Sequence, residues 1–209
     1  MRKLYYKYEN PINHLIIHSC DKLIHGCVKY NITPNMITIG RLSMIPFILY
    51  YLYYTDDIIF TVTATSIFYY LDCLDGHLAR GTCKCNAFAA NGTCEACLGT
   101  NQVTKLGGFL DHFSDALLII GLLYYIYTKS NTPIIILVTL LFYMTLIQLG
   151  LQQKHYKLEN PNAPYELLDE CNRLHALDHH HIKWTRYFGD ASLYVIMLYI
   201  IIVIKVYNH

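Results

Sequence analysis

The sequence predicts an all-α integral membrane protein, a bundle of five transmembrane helices with room for a sixth, led by an N-terminal interfacial amphipathic helix. Three observations carry this. The chain has 209 residues and is 54% hydrophobic. Its apolar residues fall in blocks close to the roughly 20 that a helix needs to cross a bilayer. Several blocks are joined by connections too short for anything but antiparallel neighbours. Helical hairpins this long and apolar would not stay in water, which argues against a soluble core protein. The length allows one domain, 1–209, and the formal net charge of +1 makes nucleic acid an unexpected partner.

Taken in order, the first ten residues are polar and carry Arg2, Lys3 and Lys7. No apolar run with a small-residue cleavage site follows, so no cleaved signal peptide is expected. In 12–30 the apolar positions are Ile12, Leu15, Ile16, Cys20, Leu23, Ile24, Cys27 and Val28, the i, i+3, i+4 rhythm of a one-faced helix. Such a helix either lies in the headgroup plane or packs on protein. Asn31 to Pro34 ends it, and the proline fixes the entry into the first span. The predicted spans are 36–54, 58–74, 109–128, 133–151 and 188–207. The connections at 55–57 and 129–132 hold only Lys129, whereas the other side collects most Lys and Arg residues and is therefore expected to face the cytoplasm. Five spans put His209 on the far side; a sixth within the polar stretch 155–187 would reverse that.

Charged residues inside spans are costly and usually mark function. Asp72, Asp75 and Arg80 stand at the cytoplasmic end of span two, and Asp111 and Asp115 at the cytoplasmic start of span three. Asp72, Asp75, Gly76, Ala79 and Arg80 share one helix face, and so do Gly107, Asp111 and Asp115. With these faces turned together, four carboxylates converge. Only Arg80 is close by in sequence, so ordinary salt bridges are not expected to neutralise them. Hard divalent cations can neutralise them: oxygen-only ligands suit Mg²⁺, Mn²⁺ or Ca²⁺, and Mg²⁺ keeps positions open for phosphate. The small residues Gly76, Ala79 and Gly107 would let a bulky substrate approach the backbone.

Asp72-Cys-Leu-Asp75-Gly76-His-Leu-Ala79-Arg80 followed by Gly107-Gly-Phe-Leu-Asp111-His-Phe-Ser-Asp115 resembles the signature of the CDP-alcohol phosphotransferase (CDP-alcohol phosphatidyltransferase) family, class I. All eight signature residues are present. Pro34-Asn35-Met36-Ile37-Thr38 and Arg41 look like the start of that family's first span, and the resemblance covers roughly 12–150. It implies displacement of CMP from a CDP-alcohol by the hydroxyl of a second alcohol. It further implies two divalent ions, Mg²⁺ or Mn²⁺, on Asp72, Asp75 and Asp111 with Asp115 nearby, and Asp115 as general base. Gly76, Ala79, Arg80 and Gly107 would serve the nucleotide and pyrophosphate. The implied partners are CDP-alcohol and lipid substrates within a membrane, with a homodimer allowed. The reaction is either CDP-choline or CDP-ethanolamine with diacylglycerol, or CDP-diacylglycerol with a polar alcohol; an Asp-His pair at 111–112 leans slightly to the former. The rival is a divalent-cation-binding or transporting membrane protein without transferase activity. Against it, the carboxylates gather at one face instead of stepping across.

The chain departs from the family in two ways. It has five spans where six are usual, and residues 81–106 form a Cys-rich cytoplasmic insertion where eight residues are usual. Cys83, Cys85, Cys94 and Cys97 suit tetrahedral Zn²⁺, with disulfides or free thiols as alternatives. Asn91-Gly-Thr93 is a glycosylation sequon, silent in the cytosol. Cys20, Cys27, Cys73 and Cys171 read as packing residues. In 152–187, His175, His179, His180 and His181 suit either a metal or a solvated helix face. The basic residues Lys154, Lys157, Arg173, Lys183 and Arg186 suit either anionic headgroups or the positive-inside rule alone. Asp190 stands just inside the last span without an assigned role.

Overall fold

The computed structural model describes residues 10–55, 57–79, 105–159 and 182–207. These are helical, with no strand among them: α1 (Pro11–Lys29), α2 (Pro34–Tyr54), α3 (Ile58–Ala79), α4 (Lys105–Lys129), α5 (Thr132–Glu159), a single turn α6 (Ile182–Thr185), a 3₁₀ turn Arg186–Phe188, and α7 (Asp190–Tyr207). Five helical stretches are long and apolar enough to cross a membrane, at the predicted places in the chain. The helices outrun the predicted spans at their polar ends. α3 continues to Ala79 and α4 starts at Lys105, so every signature position from Asp72 to Ala79 and from Gly107 to Asp115 is helical. α5 runs two turns past its span, to Glu159.

Local chemistry sets the helix starts. Asn10 and Thr33 each stand before a proline, Pro11 and Pro34, whose fixed φ and missing N–H suit a first helical position. The Asn10 Oδ1 accepts from the Ile12 N–H at 2.9 Å, and the Thr33 Oγ1 accepts from the Met36 N–H at 3.3 Å. Such caps satisfy amides that have no partner within the helix. Between α1 and α2, Asn31 adopts a φ of +53°, the left-handed geometry that asparagine tolerates. Asp57 caps α3 through the Phe60 N–H at 2.8 Å.

The described residues fall into two compact units, one within Leu15–Tyr125 and the other made of residues 10–14 with those from Ile126 onward. In the first, α2 and α3 form an antiparallel hairpin. The buried stripe of α2, Ile37, Thr38, Arg41, Ile45, Ile48 and Leu52, recurs every three to four residues, and Phe68 of α3 is fully buried. α4 runs parallel to α2: Arg41 meets Asp115 nearer the start of each helix, and Tyr53 donates to the Gly121 carbonyl at 2.8 Å farther along. Gly121 lets these helices close up: a Cβ there would stand 2.5 Å from the Leu49 Cδ2. α1 is the amphipathic helix that its sequence predicts. Its stripe Cys20, Ile24 and Cys27 packs on Ile37 of α2 and Leu74 and Leu78 of α3, while Leu15 and Leu23 stay exposed.

In the second unit, Asn10 is buried and its Nδ2 donates to the Arg186 carbonyl at 3.1 Å and to the Ser192 Oγ at 2.8 Å. Asp190 accepts from the Asn13 Nδ2 at 3.0 Å, which gives that in-span carboxylate a structural partner. Large apolar side chains such as Phe47, Ile59, Ile120, Leu140 and Val195 are exposed. In water this would be a liability; against lipid it is the expected outer surface.

Asn10 makes three contacts at once. Asn10→Ala should therefore cost about 1–2 kcal/mol and lower the detergent melting temperature by several degrees. Unchanged melting would show that these hydrogen bonds exchange freely with water.

Candidate active site

The elements that build the site are the first turns of α2, the last turns of α3 and the first turns of α4. Because α2 and α4 run one way and α3 the other, those three ends coincide. Thr38 and Arg41 on α2 lie one turn apart, as do Asp72 and Asp75 on α3, and Asp111 and Asp115 on α4.

Arg41 joins them. Its side chain is fully buried; Nη1 donates to the Asp75 Oδ2 at 3.1 Å and to the Asp111 Oδ1 at 2.7 Å, and makes an ion pair with the Asp72 Oδ1 at 2.8 Å. Nη2 donates to the Asp115 Oδ1. The guanidinium carbon stands 4.6 Å from the Phe68 ring centre, an arrangement that favours a desolvated cation. Thr38 adds a second donor to the Asp75 Oδ2 at 2.7 Å, while also taking the ordinary helical contact with the Pro34 carbonyl. Asp75 is the deepest carboxylate, 4% exposed; Asp111 and Asp115 are 31% and 30% exposed. The cluster thus opens toward α4.

Asp72, Asp111 and Asp115 each offer an oxygen, all within 4.8 Å of one another, which is a spacing that could hold a metal ion. The donor set is all-carboxylate, as a hard divalent cation requires. Asp75 accepts from both Thr38 and Arg41 and stands behind that trio.

The predicted gathering of Asp72, Asp75, Asp111 and Asp115 is therefore present. Gly76 and Ala79 continue the same helix, and Gly107 lies in the first turn of α4. Arg80, Cys83, Cys85, Cys94 and Cys97 lie outside the described residues, as do Cys171 and the histidines 175 and 179–181. One expectation is corrected. Arg80 is not the only cation within reach, because Arg41, 31 residues before Asp72 in sequence, occupies the centre of the cluster. A signal for it existed: Arg41 is the single charged residue of α2, and a charge inside a span is costly unless it is paired.

A second contact was also missed. The buried His77 shares a 2.7 Å hydrogen bond between its Nε2 and the Asp21 Oδ1 of α1. Nearby, the Ser19 hydroxyl meets the Tyr70 hydroxyl at 3.1 Å. His77 is next to Gly76 in the signature, so α1 is fastened to the helix that carries Asp72 and Asp75.

The sequence model of the CDP-alcohol phosphatidyltransferase family matches residues 31–90. The match covers 60 of the 209 residues and supports the resemblance to that family. It runs from the α1–α2 turn through the first half of the signature, and thus contains Thr38, Arg41, Asp72 and Asp75. No curated protein and no solved structure matches the chain. The family implies a membrane transferase that moves a phosphoalcohol in phospholipid synthesis with the help of divalent metal.

The α1 clasp can be tested chemically. Cys20 is buried, and burial pushes its thiol up to about 11, so it should react slowly with maleimide in the folded protein. Asp21→Ala removes the polar link from α1 to His77. Labelling of Cys20, located by mass spectrometry, should then speed up several-fold. An unchanged rate would mean that the apolar stripe alone holds α1.

Proposed function

We propose that the chain catalyses CMP-releasing transfer of a phosphoalcohol from a CDP-alcohol to an acceptor hydroxyl at the cytoplasmic membrane surface. The observation that carries this reading is the convergence of Asp72, Asp75, Asp111 and Asp115, from two helices, at one end of the apolar bundle. A cytoplasmic site follows from the excess of Lys and Arg on that side of the spans.

Each residue then has a task. Asp72, Asp75, Asp111 and Asp115 would hold Mg²⁺ or Mn²⁺, which when bound neutralises charge on the pyrophosphate and on the departing CMP. Gly76, Ala79, Arg80 and Gly107 would serve the nucleotide and pyrophosphate. Asp115, among the most open of the four carboxylates, takes the proton from the acceptor hydroxyl, since an alcohol is a poor nucleophile without a base within hydrogen-bond reach. The hydroxyl oxygen forms a bond to the phosphorus that bears the alcohol. The bond from that phosphorus to the bridging oxygen breaks, and CMP leaves with the electron pair. Thr38 fixes the orientation of Asp75, a supporting part of the kind that commonly tunes a metal site. The chain is read as one membrane domain with 81–106 as an insertion, whose Cys83, Cys85, Cys94 and Cys97 suit a structural Zn²⁺.

The substrate pair is either CDP-choline or CDP-ethanolamine with diacylglycerol, or CDP-diacylglycerol with a polar alcohol. Purified protein in detergent, given Mg²⁺ or Mn²⁺ and each pair in turn, should release CMP with one of them and stop in EDTA. Absence of release from folded protein with every pair, together with no binding of CDP-alcohols, would overturn the reading.

Two substitutions sharpen it. Asp115→Asn should lower CMP release by about 10²–10⁴-fold with the protein still folded; retained activity would remove Asp115 as the base. Thr38→Val keeps the side-chain shape and removes the donor to Asp75. It should weaken the apparent affinity for Mn²⁺ by roughly 10–100-fold, measured as the Mn²⁺ dependence of CMP release.

A further inference from the structure

Arg41 breaks the usual behaviour of a long cationic side chain, which is to keep its head in water. It is fully buried, eight positions into an otherwise uncharged helix. Its Nη1 is also crowded. A guanidinium Nη carries two N–H groups; those of Nη1 go to Asp75 and Asp111, and Asp72 stands 2.8 Å away as a third, ion-paired carboxylate. Asp115 takes Nη2, and Nε has no hydrogen-bond partner. One positive charge faces four carboxylates. Without Arg41 their mutual repulsion in a weakly screened place would drive α3 and α4 apart.

We propose that Arg41 is the standing counter-ion of this cluster: it holds the four carboxylates together when no divalent cation is bound, and it competes with that cation for Asp72, Asp111 and Asp115. The inference rests on the reading of the cluster as a divalent site. The three carboxylates whose oxygens lie within 4.8 Å of one another are the same three that Arg41 shares with Asp75. A guanidinium and a divalent cation among the same oxygens repel each other, so each weakens the hold of the other. Because Nη1 hydrogen-bonds Asp75 and Asp111 but meets Asp72 only as an ion pair, contacts can be given up singly. Asp75 is the anchor that remains, buried and held also by the Thr38 hydroxyl, which donates to the same oxygen. Arg41 is thus a positioning residue: it acts on the site through the carboxylates and keeps it assembled before the cation arrives.

The test compares the purified full chain with Arg41→Lys and Arg41→Gln in two ways. In EDTA, thermal melting should fall in the order wild type, Arg41→Lys, Arg41→Gln, the last by roughly 10 °C. Adding Asp75→Asn to Arg41→Gln should recover part of that loss, which lost packing on Phe68 alone would not allow. In direct Mn²⁺ binding followed by electron paramagnetic resonance, Arg41→Gln should bind roughly tenfold or more tightly than wild type. Should Arg41→Gln not be recovered without metal, Arg41→Lys carries both comparisons, with smaller shifts in the same directions. Equal melting in EDTA overturns the proposal, as does Mn²⁺ binding that is equal or weaker in the variant. If wild type binds Mn²⁺ and the variant gains nothing, only this inference falls. If neither binds Mn²⁺, the divalent site itself falls with it.

Discussion

One guanidinium shared by four carboxylates is the interaction on which the rest of this structure depends. Charges buried near a membrane are tolerated only when paired, and unpaired ones cost several kcal/mol each. Arg41 supplies the pairing from α2, Asp72 and Asp75 from α3, Asp111 and Asp115 from α4. The three helices therefore cannot slide or rotate independently at this end. A one-residue rotation of α3 would carry Asp72 and Asp75 away from Arg41 and leave charge stranded among apolar side chains. The polar contact thus fixes helix register, which apolar packing alone specifies poorly when lipid is as apolar as the helix surface.

The remaining elements serve that register. The tight connection capped by Asp57 sets α3 against α2. The glycine at 121 lets α4 close on Leu49, so that the α2–α4 pair stays in contact away from the charged end. α1 braces α3 from outside through Cys20, Ile24 and Cys27 and through the Asp21–His77 hydrogen bond. Thr33 and Pro34 start α2 at a defined residue, and this puts Thr38 and Arg41, one turn apart, on the face that meets Asp75.

The sequence made the helical class, the five apolar segments and the carboxylate gathering readable, because each rests on short-range periodicity: apolar runs for the spans, and i, i+3, i+4 spacing for Asp72–Asp75 and Asp111–Asp115. What it hid were pairings between residues far apart in the chain. Arg41 and Asp115 are separated by 74 positions and Asp21 and His77 by 56. No local pattern links either pair. Arg41 was legible as an anomaly, a lone charge in an apolar helix, but its partner could be named only once α2 was known to run parallel to α4. The helices also outlast the apolar spans that hydropathy marks. Polar residues from Gln152 to Lys157 lower hydropathy without breaking a helix, so α5 outlasts its apolar span.

Exposure across the cluster is graded, and the gradient separates two duties that one set of charges must perform. Arg41 is fully buried, Asp75 nearly so, Asp72 17% exposed, and Asp111 and Asp115 about twice that. The deep members are held on the inside: Asp75 accepts from both Thr38 and Arg41, and Arg41 also rests on Phe68. They hold the helices. The shallow members keep oxygens accessible, where on the proposed function a water-soluble nucleotide and a lipid would both arrive. A site buried throughout would exclude the nucleotide, and one exposed throughout would lose its register to water. The tilt of the cluster toward α4 thus lets carboxylates that share a single counter-ion serve both the fold and the chemistry.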